Sequence, residues 1–193
     1  MDLTKFRRVH LAQLPTPLES LKALSRELGG PDIYVKRDDC TGLAGGGNKT
    51  RKLEFLVAEA MEQGADTLVT VGATQSNHVR QSIAAAAKAG LRIEVLLEER
   101  MRRDDDYAEN GNVMLDHLMG GVVHHCGPVA DLNIAGEELA DKVHAAGRKI
   151  YFFPAGGSSP VGTLGYIDCA AEILAQADDM NVEIDHIVVA CGS

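Results

Sequence analysis

A glycine-rich run is followed, after one residue, by a lysine at the start of a predicted helix. The run is Gly45-Gly46-Gly47, and it is followed by Asn48 and Lys49. Because glycine has no Cβ, the backbone of such a run can approach a ligand closely. The N-terminus of a helix has unpaired N–H groups and a partial positive charge, which favour anions. The spacing therefore indicates a site for a phosphorylated ligand whose carbonyl group can react with the Lys49 amine.

A nucleotide-binding P-loop is one alternative for this run. Gly42 and Gly47 have the required separation, and a Lys-Thr pair follows them. In a P-loop, however, the lysine comes directly after the last glycine so that its ammonium reaches the β- and γ-phosphates. The inserted Asn48 turns the lysine by about 100° around the helix axis, which disfavours a P-loop. A glycine-rich turn before an ordinary surface helix remains open from this run alone.

A second polar loop lies where α/β proteins usually bind ligands. The run Gln75-Ser76-Asn77-His78 follows a predicted strand at 67–71 and opens a predicted helix at 77–88. In an open α/β sheet, ligands bind beyond the carboxyl ends of the strands, beside the N-termini of the following helices. The second loop is therefore predicted to face the same ligand as the glycine run.

Together, the two loops suit an aldehyde cofactor and a substrate with a carboxylate. The Lys49 amine would form a Schiff base, and a cationic neighbour, Arg51 or Lys52, would lower its pKa so that it can become neutral. The Asn77 amide can donate a hydrogen bond to a phenolate oxygen beside that Schiff base. Ser76 and the main-chain N–H groups around it can hold the substrate carboxylate.

The elements that must position these loops alternate along the chain. Short β-branched runs alternate with helical segments, which predicts a parallel sheet covered by helices. The sequence Thr16-Pro17-Leu18-Glu19 has the pattern of a capping box, so a first helix is predicted from there to Gly29-Gly30. The other predicted helices are 49–63, 77–88, 131–146 and 161–177, and the predicted strands are 33–36, 67–71, 93–97, 122–125, 150–153 and 186–190.

Composition and charge narrow the class of protein. The chain has 193 residues, of which 45% are hydrophobic, and its net charge of −9 argues against nucleic acid or an acidic membrane as a partner. No stretch has the length of a signal peptide core or a membrane span, so we expect a cytoplasmic protein. No metal site is expected, because the neighbours in His124-His125-Cys126 point to opposite faces of a strand and the other cysteines are scattered.

Several separated motifs resemble one family of pyridoxal-phosphate enzymes. That family includes D-cysteine desulfhydrase, L-cysteate sulfo-lyase and 1-aminocyclopropane-1-carboxylate deaminase. The motifs have the family's order and extend over essentially the whole chain, which makes the resemblance far more specific than one motif would be. They are Lys36-Arg37-Asp38-Asp39, the run from Gly46 to Leu56, Gln75-Ser76-Asn77-His78, and Gly156-Gly157-Ser158-Ser159 with Gly162 and Gly165-Tyr166.

The resemblance implies a two-domain α/β fold of the tryptophan synthase β-like type, fold type II, with three αβα layers. Residues 1–49 and 160–193 would be part of the large cofactor-binding domain, and residues 50–159 would form a small inserted α/β domain. The family's strand at 186–190 leads into a glycine-rich phosphate loop, of which only Gly192 and Ser193 would be present. We therefore expect the chain to be C-terminally truncated, the front part of a longer protein that forms a homodimer.

The resemblance also implies roles for individual residues. Lys49 would be the Schiff-base lysine of pyridoxal 5'-phosphate and a catalytic base, and Asn77 would be the partner of the cofactor's phenolate oxygen. Lys52, with Gly192 and Ser193, would contact the cofactor. The substrate carboxylate would be held by Ser76, Asn77 and His78, and Ser76 would also take part in proton or nucleophilic chemistry.

For the reaction, the resemblance favours elimination of a sulfur leaving group from a small amino acid. The product would be pyruvate and ammonia, with sulfide from D-cysteine or sulfite from L-cysteate, and the choice between these two substrates stays open. His78 stands where the deaminase typically has glutamine, and Gly45 where it typically has a bulky aromatic residue. The deaminase is therefore the alternative enzyme. A non-catalytic, truncated binding module of the same fold is the alternative from another class.

Overall fold

The described part of the chain, residues 2–101 and 103–190 of a computed structural model, contains strands and helices in alternation. Short 3-10 helices occur at Leu3–Lys5, Asp38–Cys40, Leu43–Gly45 and Ala155–Gly157. The strands and α-helices are, in chain order, β1 (Leu18–Ser20), α1 (Lys22–Leu28), β2 (Tyr34–Lys36), α2 (Thr50–Glu62), β3 (Thr67–Ala73), α3 (Asn77–Ala89), β4 (Arg92–Glu98), α4 (Asp105–Glu109), α5 (Gly111–Leu118), β5 (Val122–Cys126), α6 (Leu132–Ala145), β6 (Ile150–Phe152) and α7 (Pro160–Asp179).

The central sheet has four strands in the order β5-β4-β3-β6. All of its neighbouring strands pair in parallel, and each connection along the chain passes through at least one helix. The register pairs Ala73 with Glu98 at the carboxyl ends of β3 and β4. This confirms the predicted parallel α/β sheet, and it places the loop before α3 at the ligand-binding end of the sheet.

Side chains of the central sheet alternate between two hydrophobic cores, as the period of a strand requires. On one face, Leu68 and Val95 pack with the apolar sides of α2 and α3. On the other face, Val69 and Val71 pack with Leu139 and its neighbours on α6. The result is the three-layer αβα arrangement that the family resemblance implied.

The prediction of a helix beginning at Thr16 is wrong. Residues Leu18–Ser20 form β1, which pairs antiparallel with β2, so the predicted strand at 33–36 joins this small sheet and not the parallel one. The Thr16 hydroxyl, which should have capped the helix, instead donates to Asp38 Oδ1 at 2.8 Å. The helix starts at Lys22 but ends as predicted, at Gly29 in the left-handed conformation.

The predicted strand at 186–190 is also wrong for the described residues. Residues 182–190 have no regular secondary structure, and Val188 is 95% exposed. A strand is stabilised by pairing with a neighbour and by burial of one face, and this segment has neither. Gly192 and Ser193 lie outside the described residues.

Candidate active site

Lys49 occupies the N-cap position of α2, two residues after Gly47, and is partly buried. The glycine run is tightly enclosed. A Cβ at Gly46 would lie 2.0 Å from the carbonyl oxygen of Asp39, and one at Gly47 would lie 2.3 Å from Gln81 Nε2. Both glycines also have positive φ, of 82° and 136°. Only glycine therefore fits at these two positions.

Buried polar side chains hold the glycine run against α3. The Thr41 hydroxyl donates to the carbonyl of Gly47 at 2.7 Å and accepts from its N–H at 2.9 Å. Gln81 Oε1 accepts from the N–H and the hydroxyl of Thr50, both at 2.9 Å. Gln81 Nε2 donates to the carbonyl of Asn77 at 2.8 Å. The first turn of α2 is thus tied to the first turn of α3.

The N-terminus of α3 presents main-chain donors beside this run. Ser76 is the N-cap, and its hydroxyl accepts from the N–H of Val79 at 3.3 Å. The intervening N–H groups of Asn77 and His78 donate to no group among the described residues, as expected for the first turn of a helix. Asn77 Nδ2 donates to Asn48 Oδ1 at 3.0 Å. The structure thus brings Lys49 and the predicted Ser76-Asn77-His78 loop together.

His78 points into the core and is only 2% exposed. The Thr70 hydroxyl donates its single hydrogen to the carbonyl of Phe153 at 2.8 Å, so His78 Nε2, at 3.0 Å from the same oxygen, must be the donor to Thr70. Burial, together with the positive charges of Lys49 and Lys52, lowers the pKa of His78 to about 3. The ring is therefore neutral, with Nδ1 as an acceptor. Because the ring Nε2–H is bonded to Thr70, the group that His78 can offer to a carboxylate is its main-chain N–H.

Lys52 lies one helical turn after Lys49, on the same side of α2. Its Nζ donates to the carbonyl of Gly156 and to the Ser158 hydroxyl, each at 3.1 Å. Its Nζ also lies 6.0 Å from the centroid of the Tyr166 ring. The loop after β6 therefore contacts the cationic side of α2.

The sequence offered Arg51 or Lys52 as the cation that lowers the pKa of Lys49, and Arg51 is held in a cluster of ion pairs. Its guanidinium is fully buried and makes paired hydrogen bonds with Asp38, at 2.9 Å, and with Glu172, at 2.9 and 3.0 Å. Two carboxylates offset its charge, so little positive field remains for a neighbour. Lys52 is the better candidate for that effect.

Tyr166 is a site neighbour to which the sequence assigned no role. Its hydroxyl donates to the carbonyl of Asn48 at 3.3 Å, next to Lys49. Burial and the nearby Asp38 charge raise the pKa of Tyr166 to about 12, so the phenol stays protonated and remains a donor. The sequence could have identified Tyr166 as a site residue, because it belongs to one of the motifs that carry the family resemblance. The motif alone did not show which group Tyr166 contacts.

A separate cavity of about 560 Å³ lies between α6 and the β4–β5 edge of the sheet. It is lined in part by His124, His125 and Cys126, and by none of the predicted site residues. His124 Nε2 lies 2.8 Å from Glu94 Oε2. Within residues 2–101 and 103–190, no group of histidine, cysteine and acidic side chains is arranged to hold a metal ion. In the same ranges, no helix is both long and apolar enough to cross a membrane.

A lysine that caps a helix behind an enclosed glycine run, at the carboxyl end of a parallel sheet, is the arrangement of an α/β enzyme that anchors an aldehyde cofactor. Comparison with family models agrees with this class. Residues 9–193 match the PALP model, described as pyridoxal-phosphate dependent enzyme, and the chain belongs to that family.

Individual relatives point to a narrower group. The chain is 49% identical over 193 residues to a D-cysteine desulfhydrase of Klebsiella pneumoniae subsp. pneumoniae, covering 100% of this chain and 58% of the relative. It is 48% identical over 192 residues to a D-cysteine desulfhydrase of Serratia proteamaculans, covering 99% of this chain and 58% of the relative. The chain therefore spans somewhat more than half the length of these curated relatives.

Solved structures show the same fold. An ACC deaminase homologue superimposes with a TM-score of 0.81 at 42% identity, covering 90% of this chain and 52% of the other. A threonine deaminase of T.th. superimposes with a TM-score of 0.63 at 24% identity, covering 87% of this chain and 48% of the other. These matches confirm the fold type that the sequence resemblance implied.

The residues present fit the family's cofactor. Gly46 and Gly47 leave no room for side chains, Lys49 supplies a primary amine two residues further on, and the free N–H groups of Asn77 and His78 suit an anion. Asn77 Nδ2 uses one hydrogen on Asn48, so its second hydrogen is available to a phenolate oxygen.

Proposed function

We propose that the whole protein is a pyridoxal-phosphate dependent lyase that removes the sulfur of D-cysteine. The observation that carries the proposal is the 49% identity to a D-cysteine desulfhydrase, which extends over all of this chain, including the glycine run and Lys49. The balanced reaction converts D-cysteine and water into pyruvate, hydrogen sulfide and ammonia. L-Cysteate, which the sequence left open, has no such support among the relatives described above.

In this proposal Lys49 has two roles. Its Nζ would hold the cofactor in the absence of substrate, and with substrate bound the same Nζ would take the proton from the substrate Cα. The bound cofactor supplies the electron sink for the carbanion that this proton transfer leaves. The neighbouring Lys52 ammonium favours a neutral Lys49 amine, and it is also our candidate for a contact with the cofactor phosphate.

The N-terminus of α3 would bind the substrate carboxylate. The N–H groups of Asn77 and His78 and the Ser76 hydroxyl offer donors there, and the helix dipole adds to their attraction for an anion. Because His78 is neutral and bonded to Thr70, its ring supports the loop from inside the core. The Ser76 hydroxyl is also our candidate for a second proton-transfer group.

For the rest of the architecture, we propose the division implied by the family. Residues 1–49 and 160–193 would belong to a large cofactor-binding domain and residues 50–159 to a small domain. The central parallel sheet, which lies entirely within 67–152, supports the limits of the small domain. On the family resemblance alone, we also propose that the protein is a homodimer and is located in the cytoplasm.

A second candidate is 1-aminocyclopropane-1-carboxylate deamination, which the structural match to an ACC deaminase homologue favours. The deciding experiment offers D-cysteine, L-cysteate and the cyclopropane amino acid separately to the purified whole protein. Sulfide, sulfite and α-ketobutyrate are measured. We expect sulfide from D-cysteine, and its loss in Lys49→Ala. Release of α-ketobutyrate alone would favour the deaminase, and no product from any substrate would favour a binding module.

A further inference from the structure

Two residues on helices that pack against each other, Arg80 on α3 and Asp116 on α5, hold most of the described buried side-chain atoms that have no hydrogen-bond partner. Of the buried side-chain nitrogens and oxygens in the described residues, those without a partner are His78 Nδ1, Arg80 Nε and both carboxylate oxygens of Asp116. Unpartnered buried polar atoms are rare in folded proteins because they are energetically unfavourable. The Arg80 and Asp116 atoms are therefore expected to have a purpose other than stability.

Arg80 connects α3 with the backbone that leads to Lys49. Its Nη1 donates to the carbonyl of Ala44, and its Nη2 donates to the carbonyl of Gly46 at 2.9 Å. Ala44 has φ 48° and ψ 48°, a left-handed conformation that alanine rarely adopts. Hydrogen bonds from a charged donor are stronger than neutral ones, so Arg80 can hold this unfavourable backbone in place.

Asp116 lies on α5, which packs against α3, α4 and β5, and it is 1% exposed. Burial raises the pKa of Asp116 to about 7, and the positive charge of Arg80 opposes that rise. Burial likewise lowers the pKa of Arg80, and Asp116 opposes that change. The other acidic and histidine side chains described on these elements do not shift the pKa of Asp116: His78, Asp106, Glu109, His117, His124 and His125.

We propose that Arg80 is a positioning residue for Lys49, and that the Asp116 carboxylate is the buried counter-charge that keeps Arg80 on the glycine run. This inference rests on the proposed role of Lys49. Arg80 fixes two carbonyls within five residues of Lys49, and Asp116 is the charged group whose field stabilises the guanidinium there.

The effect of Asp116 on stability depends on pH, and this separates a functional role from a structural one. Because folding raises the pKa of Asp116, the folded protein binds a proton more strongly than the unfolded one, and this stabilisation is lost as the pH rises towards 7. At pH 8 the buried carboxylate therefore lowers the stability of the fold. Asp116→Asn should raise the Tm at pH 8 and, at the same time, loosen the glycine run. A merely structural carboxylate would instead lower the Tm when it is replaced.

The test uses the cofactor-free whole protein and its variants Arg80→Gln, Arg80→Lys and Asp116→Asn. The controls Arg26→Gln and Asp141→Asn remove the same charges from exposed positions. Amide hydrogen exchange is measured at Gly46 and Gly47, whose N–H groups donate to Leu43 and Thr41 at 2.9 Å. Affinity for added pyridoxal phosphate is measured by absorbance titration. Should Arg80→Gln fail to fold, Arg80→Lys, which keeps the charge but not the paired donors, gives the readout.

For Arg80→Gln we expect amide exchange about 10-fold faster and cofactor affinity about 10-fold weaker than for Arg26→Gln, because two charge-assisted hydrogen bonds are lost. For Asp116→Asn we expect amide exchange about 3-fold faster and cofactor affinity about 3-fold weaker than for Asp141→Asn, with a higher Tm at pH 8. Exchange and affinity equal to those of the controls would overturn the proposal. A protein that turns over none of the three amino acids would contradict the proposed function, but it would leave the exchange result unchanged.

Discussion

The buried cluster around Arg51 gives a stability prediction whose size follows from the structure. Arg51 is fully buried and bonds to Asp38, Glu172 and the Thr16 hydroxyl. In Arg51→Met, Glu172 keeps Lys36 as a partner at 2.5 Å, but Asp38 keeps only neutral donors. Removing one partner of a buried ion pair leaves an uncompensated charge, so we expect a loss of about 3–5 kcal/mol in the free energy of unfolding.

A matched control lies close by in the sequence. Arg37 also contacts two carboxylates, Glu19 at 2.9 Å and Asp39 at 2.8 Å, but the three side chains are 33%, 46% and 64% exposed. Exposed ion pairs contribute about 0–1 kcal/mol, so Arg37→Met should lower the free energy of unfolding by no more than about 1 kcal/mol. The contrast between the two arginines isolates burial as the cause.

The assay is urea denaturation of the cofactor-free whole protein at neutral pH, followed by circular dichroism. A second variant, Arg51→Met combined with Asp38→Asn, removes the charge that Arg51→Met leaves behind. We expect the double variant to be more stable than Arg51→Met alone, by about 1–3 kcal/mol. The reasoning is refuted if Arg51→Met is no less stable than Arg37→Met, or if Asp38→Asn destabilises it further.

Three further predictions concern the site. Gly47→Ala should weaken pyridoxal-phosphate binding at least about 10-fold, measured by absorbance titration, because its Cβ would meet Gln81, whereas Gly30→Ala, with open space around it, should bind normally. Thr70→Val should lower the free energy of unfolding by about 2–4 kcal/mol in urea denaturation, because it leaves the His78 Nε2–H and the Phe153 carbonyl without partners; an unchanged midpoint would contradict this. His78→Gln should reduce the loss of stability between pH 6.5 and 4, because folding lowers the pKa of His78 to about 3 and the unfolded state alone gains the proton in that range; thermal melts across this range would show the same slope as wild type if the histidine were charged in the fold.

Features with local signals could be predicted from the sequence. The parallel strands, the helix that starts at Asn77 and the end of α1 at Gly29 follow from β-branched runs, capping residues and glycine. The sequence also predicted that the loop with Lys49 lies beside the loop with Ser76 and Asn77. These loops begin α2 and α3, which cover the same face of the sheet.

Features that depend on distant partners could not be predicted in this way. The partners of Arg51 lie 13 and 121 residues away along the chain. No feature of the neighbouring sequence shows that Arg51 is buried in ion pairs and not exposed beside Lys49. Thr16 failed as a helix cap for a related reason, because its hydroxyl binds Asp38 instead of the backbone that follows it. Local propensity is overridden wherever a buried charge needs a polar group.

The central claim is that Lys49 Nζ is the covalent anchor of the cofactor. The most direct measurement incubates the whole protein with pyridoxal phosphate, reduces the product with borohydride and locates the modified lysine by peptide mass spectrometry. We predict a single modified residue, Lys49, and no modification of the same peptide in Lys49→Ala. Modification of Lys52 in place of Lys49, or cofactor retention in Lys49→Ala equal to that of the wild type, would contradict the claim.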